Sequence, residues 1–183
     1  MARLIYSTLS SLDHFVADRD GKWEFAEPDP EVHAFVNDME RPIGTYLYGR
    51  RVYEVMAVWE TLEDPAPEMR DYAELWRAAE KIVYSRTLRA VTTSRTRLER
   101  SFDPEAVRTL KESSERDLGI GGPTLAAEAI RAGLVDEWQF LLSPALVGGG
   151  KPSLPDGIRI DLELTDTRTF GNGTVFLRYR TRV

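Results

Sequence analysis

The chain contains no cysteine. Disulfide bonds, thiolate nucleophiles, iron–sulfur clusters and thiolate-held zinc are therefore excluded. The sequence also has only two histidines, His14 and His33, and they lie too far apart for the spacing of a paired histidine ligand set. We predict that the protein needs no metal, although carboxylates alone are able to hold magnesium.

Long apolar runs and an excess of basic residues are absent as well. No hydrophobic stretch approaches the roughly 20 residues that span a bilayer, and the first strand-like stretch lacks the features of a secretory signal. The net charge is −6, whereas duplex-binding proteins usually present a basic face. We therefore expect a cytoplasmic protein with a small-molecule partner, no nucleic acid and no membrane. We also expect one domain that spans residues 1–183.

Strand-like and helix-like segments alternate along most of the chain. Apolar and β-branched runs predict strands at Leu4–Ser10, Tyr46–Tyr48, Lys81–Ser85, Val91–Thr93, Leu118–Ile120 and Trp138–Leu142. Helical periodicity and capping residues predict helices that begin at Pro28–Pro30 and that cover Val52–Val58, Glu68–Glu80, Asp103–Glu115 and Thr124–Arg131.

The C-terminal region has a different pattern. The segments Leu162–Phe170 and Thr174–Tyr179 flank Gly171–Asn172–Gly173, whose Asn-Gly pair favours a tight hairpin turn. The fold class that these patterns predict is α/β, with a mostly parallel central sheet, helices on both faces and a C-terminal antiparallel hairpin.

Two strand-to-helix junctions combine small or hydroxyl residues with arginine. At Gly49–Arg50–Arg51, the glycine lets a ligand approach the backbone and the arginines suit phosphate oxygens. Ser85–Arg86–Thr87 offers one cation and two hydroxyls, which suits the ribose 2′-phosphate that distinguishes NADP from NAD. For both segments, the alternative interpretation is an ordinary polar turn with solvated arginines.

A third junction, Gly119–Thr124, is more specific. It begins like a dinucleotide-binding fingerprint, but Thr124 stands in place of the third glycine and Pro123 pre-sets the first helical turn. A pyrophosphate held at a helix N-terminus fits this pattern, and so does a glycine turn needed only for close packing. The later run Gly148–Lys151 lacks the Ser/Thr and leading glycine of a phosphate loop, and we interpret it as a flexible loop.

These motifs, in this order, resemble the dihydrofolate reductase-like superfamily. The resemblance is closest to the branch that contains the reductase domain of bifunctional riboflavin-biosynthesis proteins and stand-alone bacterial dihydrofolate reductase family proteins. Its most specific segments are Ile120–Leu125, Gly133–Glu137 and the loop Pro144–Gly150 that follows. The turn Ser11–Asp13 also resembles the family's Ser-Leu-Asp-Gly motif, with His14 in the place of the glycine.

The resemblance implies a three-layer reductase fold, a homodimer and NADPH across the strand ends. By this resemblance, the phosphates of NADPH would contact Gly49, Arg50 and Arg51. The 2′-phosphate end would contact Ser85, Arg86 and Thr87. The pyrophosphate would contact Gly121, Gly122, Pro123, Thr124 and Leu125.

The resemblance also implies hydride transfer to a small heterocyclic substrate, pterin- or pyrimidine-like. Such chemistry usually needs a proton source, and Asp13 is our candidate catalytic residue, with Glu31 and Asp38 as alternatives on the first helix. Flat walls for a ring are offered by Trp23, Tyr53 and Trp59.

Three other functions remain open at this point. The first is 5-amino-6-(5-phosphoribosylamino)uracil reductase of riboflavin biosynthesis, and the second is an NADPH-binding module without redox activity. The third is a structural interaction protein that binds no cofactor.

Overall fold

The computed structural model describes residues 1–63 and 66–182. Its strands are β1 (Leu4–Ser11), β2 (Phe15–Ala17), β3 (Ile43–Gly49), β4 (Glu80–Tyr84), β5 (Thr96–Glu99), β6 (Asp117–Gly121), β7 (Glu137–Ser143), β8 (Lys151–Pro152), β9 (Leu162–Thr169) and β10 (Val175–Thr181). Its α-helices are α1 (Pro30–Glu40), α2 (Arg50–Met56), α3 (Pro67–Ala78), α4 (Pro104–Ser113) and α5 (Pro123–Arg131), and short 3-10 turns cover Glu24–Ala26 and Ala57–Glu60.

One eight-stranded sheet forms the centre of the molecule, in the order β5-β4-β3-β6-β1-β7-β10-β9. Neighbouring strands from β5 to β7 are parallel, whereas β10 is antiparallel to both β7 and β9. The turn between β9 and β10 is closed by hydrogen bonds between Phe170 and Thr174 and between Gly173 and Phe170. The predicted fold class, including the C-terminal hairpin, is confirmed.

Helices cover both faces of the sheet because alternate strand residues point to opposite sides. On one face, Leu4 and Tyr6 of β1 pack with α4 and α5. On the other face, Ile5 packs in a cluster with Tyr72 and Trp76 of α3. The helix α1 covers the end of this second face through Val32 and Met39, which pack on Leu141 and Phe176.

Local sequence signals explain where several helices begin and end. The Asp29 side chain accepts a hydrogen bond from the Val32 amide at the start of α1, and Asp103 caps α4 in the same way. Proline occupies the first turn of both helices, where its missing N–H costs nothing. After α5, Gly133 adopts a φ of 66°, a left-handed conformation that favours glycine.

The predicted strand at Val91–Thr93 is wrong. This segment is a loop held by Tyr53, whose hydroxyl accepts a hydrogen bond from the Thr92 amide. The strand in this region is β5, which pairs with β4 at the edge of the sheet. Its residues alternate between charged, exposed positions and half-buried ones, as is usual for an edge strand, so hydrophobicity alone did not reveal it.

Among the residues that the structure describes, no helix is both long enough and apolar enough to cross a bilayer. The expectation of one domain over residues 1–183 stays a prediction, although the main sheet takes strands from Leu4 to Thr181.

Glu40, at the end of α1, gives the fold a predicted pH dependence. Burial raises the pKa of its carboxyl from 4.5 to about 7, and the Tyr46 hydroxyl offsets part of this shift. The folded state therefore holds the proton more tightly than the unfolded state. The resulting stability is fully present below pH 4.5 and is lost as the pH rises through about 7.

We expect Glu40→Gln to remove this fall in unfolding free energy, which amounts to at most about 3 kcal/mol. Urea unfolding at pH 5 and pH 8 measures the effect, with the exposed Glu128→Gln of α5 as the control. An unchanged difference between the two pH values in Glu40→Gln would show that Glu40 does not titrate in this way.

Candidate active site

The three predicted junctions lie side by side at the carboxyl edge of the sheet. In the strand register, Tyr48 of β3 lies opposite Gly121 of β6, and Gly49 lies opposite Tyr84 of β4. All three strands run in the same direction, so the turns that follow them share one edge. Open α/β sheets bind ligands at such an edge, at the point where the strand order reverses, which here lies between β3 and β6.

Arg50 connects the first junction with the second. Its guanidinium donates one hydrogen bond to the Thr87 hydroxyl over 3.1 Å and another to Glu54 over 2.7 Å. This contact brings the start of α2 and the turn after β4 together. It also partly neutralises Arg50, since the Glu54 carboxylate is its ion-pair partner.

The turn after β4 is shaped by hydrogen bonds within it and by an arginine that sequence reasoning missed. The Ser85 hydroxyl accepts from the amides of Thr87 and Leu88 at 3.3 and 3.0 Å. From the loop after β5, the Arg100 side chain donates to the carbonyls of Ser85 and Leu88 at 3.2 and 2.6 Å. Arg100 was not singled out from the sequence, because a strand was predicted at Val91–Thr93 and β5, the strand that Arg100 follows directly, was therefore missed.

The glycines of the third junction are required by packing. A Cβ at Gly121 would lie 2.9 Å from the Tyr48 ring, and a Cβ at Gly122 would lie 2.7 Å from the Val52 side chain. Gly122 also has a φ of 91°, which strains residues with a side chain. Close packing against Tyr48 of β3 and Val52 of α2 thus accounts for both residues, and their role in ligand binding stays a prediction.

The first turn of α5 presents unpaired backbone donors. Gly122 is the N-cap, Pro123 has no amide hydrogen, and the first amide bonded within the helix is that of Ala126, which donates to the Gly122 carbonyl. The amides of Thr124 and Leu125 therefore have no partner within the helix. The nine-residue helix adds a partial positive charge at this end, which suits an anion.

Gly49 faces this helix start across a gap. A Cβ built on Gly49 would meet only the Leu125 Cβ, at an ordinary contact distance of 3.8 Å. The fold itself therefore leaves room for a side chain here. The absence of that side chain keeps the space between the starts of α2 and α5 open.

Three arginines without ion-pair partners among the described residues lie near the carboxyl edge of the sheet. Arg51, Arg86 and Arg89 are exposed, and none of them has an ion-pair or hydrogen-bond partner within residues 1–63 and 66–182. The chain as a whole is acidic, with a net charge of −6. Free guanidinium groups beside unpaired amides form a local environment that favours phosphate.

Asp13 fastens two loops together. Its carboxylate accepts hydrogen bonds from the amides of Val147 and Gly148, at 3.2 and 2.8 Å. Hydrogen bonding from the Ser11 hydroxyl, followed by that from the Gly148 and Val147 amides, lowers the pKa of Asp13 below its usual value. An ionised carboxylate occupied by these donors is poorly suited to give up a proton. We therefore interpret Asp13 as a residue that positions the loops after β1 and β7.

The glycine run after β7 is held in place by these contacts. Residues of β2 pair with β8, and Arg19 donates a hydrogen bond to the Gly148 carbonyl at 3.1 Å. A Cβ on Gly150 would lie 2.1 Å from the Ala17 carbonyl oxygen, so the two backbones meet closely at this point. The run therefore packs against the segment around β2, and its flexibility stays a prediction.

The predicted substrate-binding aromatics lie in three different environments. Tyr53 is 3% exposed, and its hydroxyl is bonded at the loop Thr92–Thr93, so its observed contacts are structural. Trp59 packs between α1 and α3, with ring centroids 6.0 Å from His33 and 4.7 Å from Tyr72. Trp23 is 48% exposed just before the 3-10 turn that contacts β1 and β7. Of the three, Trp23 has the most surface free for a substrate.

The alternative acids on α1 are engaged elsewhere. Glu31 pairs with Arg168 and accepts a hydrogen bond from the Gly171 amide, at the tip of the C-terminal hairpin. Asp38 pairs with Arg41 on an exposed surface. Among the described residues, no group of three histidine, aspartate or glutamate side chains gathers as a metal site, and the expectation of a metal-free protein stays a prediction.

The sheet order and its carboxyl edge define a dihydrofolate reductase-like fold. Residues 2–176 match the family model of the RibD C-terminal domain, and the chain therefore belongs to that family.

Individual relatives agree with this assignment. The chain is 31% identical to the uncharacterized protein YyaP of Bacillus subtilis (strain 168) over 185 residues, which cover 97% of this chain and 94% of that protein. A candidate riboflavin biosynthesis protein of Shewanella sp. PV-4 superposes with a TM-score of 0.76 at 20% identity and covers all of both chains. The dihydrofolate reductase of Enterococcus faecalis, solved with NADP(H), has a TM-score of 0.65 at 16% identity and covers 99% of this chain and 97% of its own.

Proposed function

We propose that this protein is an NADPH-dependent reductase that transfers a hydride to a small heterocyclic substrate, pterin- or pyrimidine-like. Its relationship to reductase domains supports an oxidoreductase. The observation that carries the proposal is the convergence of three junctions at one sheet edge, where Arg50 bonds to Thr87 and Gly49 faces the start of α5.

The residues at this edge fit a phosphorylated dinucleotide. The free amides of Thr124 and Leu125, with Gly121, Gly122 and Pro123, would hold the pyrophosphate at the start of α5. The free guanidinium of Arg86, beside Ser85 and Thr87, would hold the 2′-phosphate. When bound, NADPH supplies the hydride, and the protein supplies binding, orientation and electrostatics.

The loops after β1 and β7 would position the substrate. Asp13 ties them together, and Trp23 offers an exposed flat surface beside β1. Since the Asp13 carboxylate stays ionised, we assign the proton that accompanies the hydride to solvent water. Asp13 then acts on the rate by holding the loops, and it does not touch the transferred proton.

Turnover assays distinguish this proposal from its two cofactor-binding rivals. Pure protein is mixed with NADPH and either dihydrofolate or 5-amino-6-(5-phosphoribosylamino)uracil, and the loss of NADPH absorbance is followed. Reduction of dihydrofolate or a related ring supports the proposal, whereas exclusive reduction of the phosphoribosylated uracil favours the riboflavin-pathway enzyme. Cofactor binding without turnover of a panel of pterins and pyrimidines favours the redox-inactive module.

Arg86→Gln tests which cofactor the site selects. We expect its affinity for NADPH to fall about tenfold, because an exposed charge-assisted hydrogen bond to the 2′-phosphate is lost. Its affinity for NADH should not change, since NADH lacks that phosphate. Calorimetric titration with both cofactors measures the effect. Arg180→Gln is the control, because Arg180 lies on the C-terminal hairpin and pairs with Glu163. Equal losses for the two cofactors would remove Arg86 from the 2′-phosphate site.

Homodimerisation, which the family resemblance implies, and location in the cytoplasm remain proposals. Light scattering of the pure protein measures the oligomeric state directly.

A further inference from the structure

A cavity lies at the opposite end of the sheet from the candidate active site. Its volume is about 380 Å³, within the range of small-molecule sites. The cavity is lined by residues at the end of α5, at the start of β7, at the end of β10 and in the loop before β9. They are Ile130, Arg131, Gly133, Val135, Trp138, Gly157, Ile158, Arg159, Ile160 and Thr181.

The lining is mainly apolar. The Trp138 side chain is 2% exposed and donates its indole N–H to the Thr181 hydroxyl at 2.9 Å, which fixes this wall. Ile158 and Ile160 are half-buried against the same core cluster as Ile130. Gly133 and Gly157 form turns with positive φ, and a Cβ on either would meet nothing within 4 Å, so neither turn crowds its surroundings.

Two arginines add positive charge to this apolar site. Arg131 and Arg159 are exposed, and neither has an ion-pair or hydrogen-bond partner among residues 1–63 and 66–182. Asp156 and Asp161 lie close in sequence, yet neither carboxylate pairs with these guanidinium groups. The site thus combines an apolar body with two free cations.

The carbonyl groups at the end of α5 form no hydrogen bonds with Arg131 or Arg159. A helix C-terminus carries a partial negative charge that cations commonly neutralise. Here Arg108 donates to the Ala132 carbonyl at 3.1 Å and Lys111 donates to the Leu134 carbonyl at 3.0 Å. Capping is therefore supplied by α4, and Arg131 remains available.

We propose that this cavity is a second binding site for a small organic anion, with a compact apolar or aromatic body and one carboxylate or phosphate. The body would fill the space beside Trp138 and Ile160, and the anionic group would pair with Arg131 and Arg159. The site is separate from the cofactor edge, so the inference does not depend on the proposed function.

Binding of phenylacetate tests the charge requirement, with phenylacetamide as a neutral probe of nearly the same shape. We expect phenylacetate to bind with a dissociation constant of about 1 mM or tighter, and to move the Trp138 indole resonance in nitrogen-15 NMR spectra. Phenylacetamide should bind at least about tenfold more weakly. Phenyl phosphate, used in the same way, distinguishes a phosphate-bearing ligand from a carboxylate.

Arg131→Gln and Arg159→Gln should each weaken phenylacetate binding by about tenfold, whereas Arg97→Gln on β5 should have no effect. NADPH affinity should be the same in all three variants, which separates this test from that of the proposed function. Equal binding of acid and amide, wild-type affinity in both arginine variants, or no binding at all would overturn the proposal. So would a solution dimer whose interface covers Arg131 and Arg159.

Discussion

Replacement of Asp13 by alanine should lower turnover about 100-fold while the protein stays folded. The Asp13 carboxylate joins the loop after β1 to the loop after β7 through the amides of Val147 and Gly148. Without it, both amides lose an acceptor, and the segment that carries Trp23 keeps only the β2–β8 pairing and the Arg19–Gly148 hydrogen bond as its links to the loop after β7. A misplacement of about 1 Å is enough to cost about 100-fold in rate.

Three measurements separate this positioning role from a general loss of structure. The melting temperature of Asp13→Ala should stay close to that of the wild type, and hydrogen exchange should accelerate at Val147 and Gly148. Asp13→Asn should be impaired as well, because its amide group presents a donor to one of the two backbone donors. Asp20→Ala, in the turn that follows β2, is the matched control and should keep full turnover.

The pH profile provides a further check on Asp13. If Asp13 only positions the loops, its own titration does not change the rate in the neutral range, because its lowered pKa keeps it ionised there. A proton donor would require the protonated form, and the rate would then fall as the pH rises through its pKa. Loss of activity with increasing pH that disappears in Asp13→Asn would restore Asp13 as the catalytic acid.

Gly49→Ala should weaken NADPH binding about 100-fold, which corresponds to about 2.7 kcal/mol. The structure leaves room for the new Cβ, since its nearest neighbour would be the Leu125 Cβ at 3.8 Å. The methyl group instead occupies the gap toward the start of α5, where we place the cofactor phosphates. The melting temperature should therefore change little, and the loss should be confined to cofactor affinity.

Gly122→Ala provides the contrasting case. Its Cβ would lie 2.7 Å from Val52 at a residue with a φ of 91°, so the fold itself is strained. We expect this variant to lose about 2 kcal/mol of unfolding free energy as well as cofactor affinity. If Gly49→Ala lost stability but bound NADPH normally, the gap between α2 and α5 would not be the phosphate site.

Local signals were sufficient to predict the sheet and its hairpin from the sequence. These signals act within a few residues of their own position. Examples are the cap residue Asp103, the glycine at 133 and the Asn-Gly turn at 172–173. Buried parallel strands were visible as apolar runs. The edge strand β5 was not visible in this way. It lies at the edge of the sheet, so every second residue is charged and exposed, and the strand contains no apolar run.

The candidate site was predictable to a smaller extent. The sequence indicated that three junctions share one edge, because parallel strands place their carboxyl ends together. It did not show that Arg50 reaches Thr87 or that Arg100 shapes the turn at Ser85, since these contacts join residues far apart in the chain. Burial of Tyr53 was likewise decided by the helices packed around it.

The Ser11–Asp13 turn requires a left-handed backbone conformation at the residue that follows it, His14. His14 adopts a φ of 63°, the left-handed region that glycine reaches most easily. The related motif has glycine at this place, and histidine here keeps the same backbone turn while its ring packs edge-on against Phe140 at 5.9 Å. The turn holds Asp13 beside Gly148 in spite of the substitution.

Calorimetric titration of the pure protein with NADPH and with NADH tests the central claim most directly. We expect a single site that binds NADPH at micromolar concentrations and NADH at least about tenfold more weakly, because only NADPH carries the 2′-phosphate. No heat from NADPH at millimolar concentrations would contradict it, since the arginines and free amides at the carboxyl edge would then hold no such cofactor.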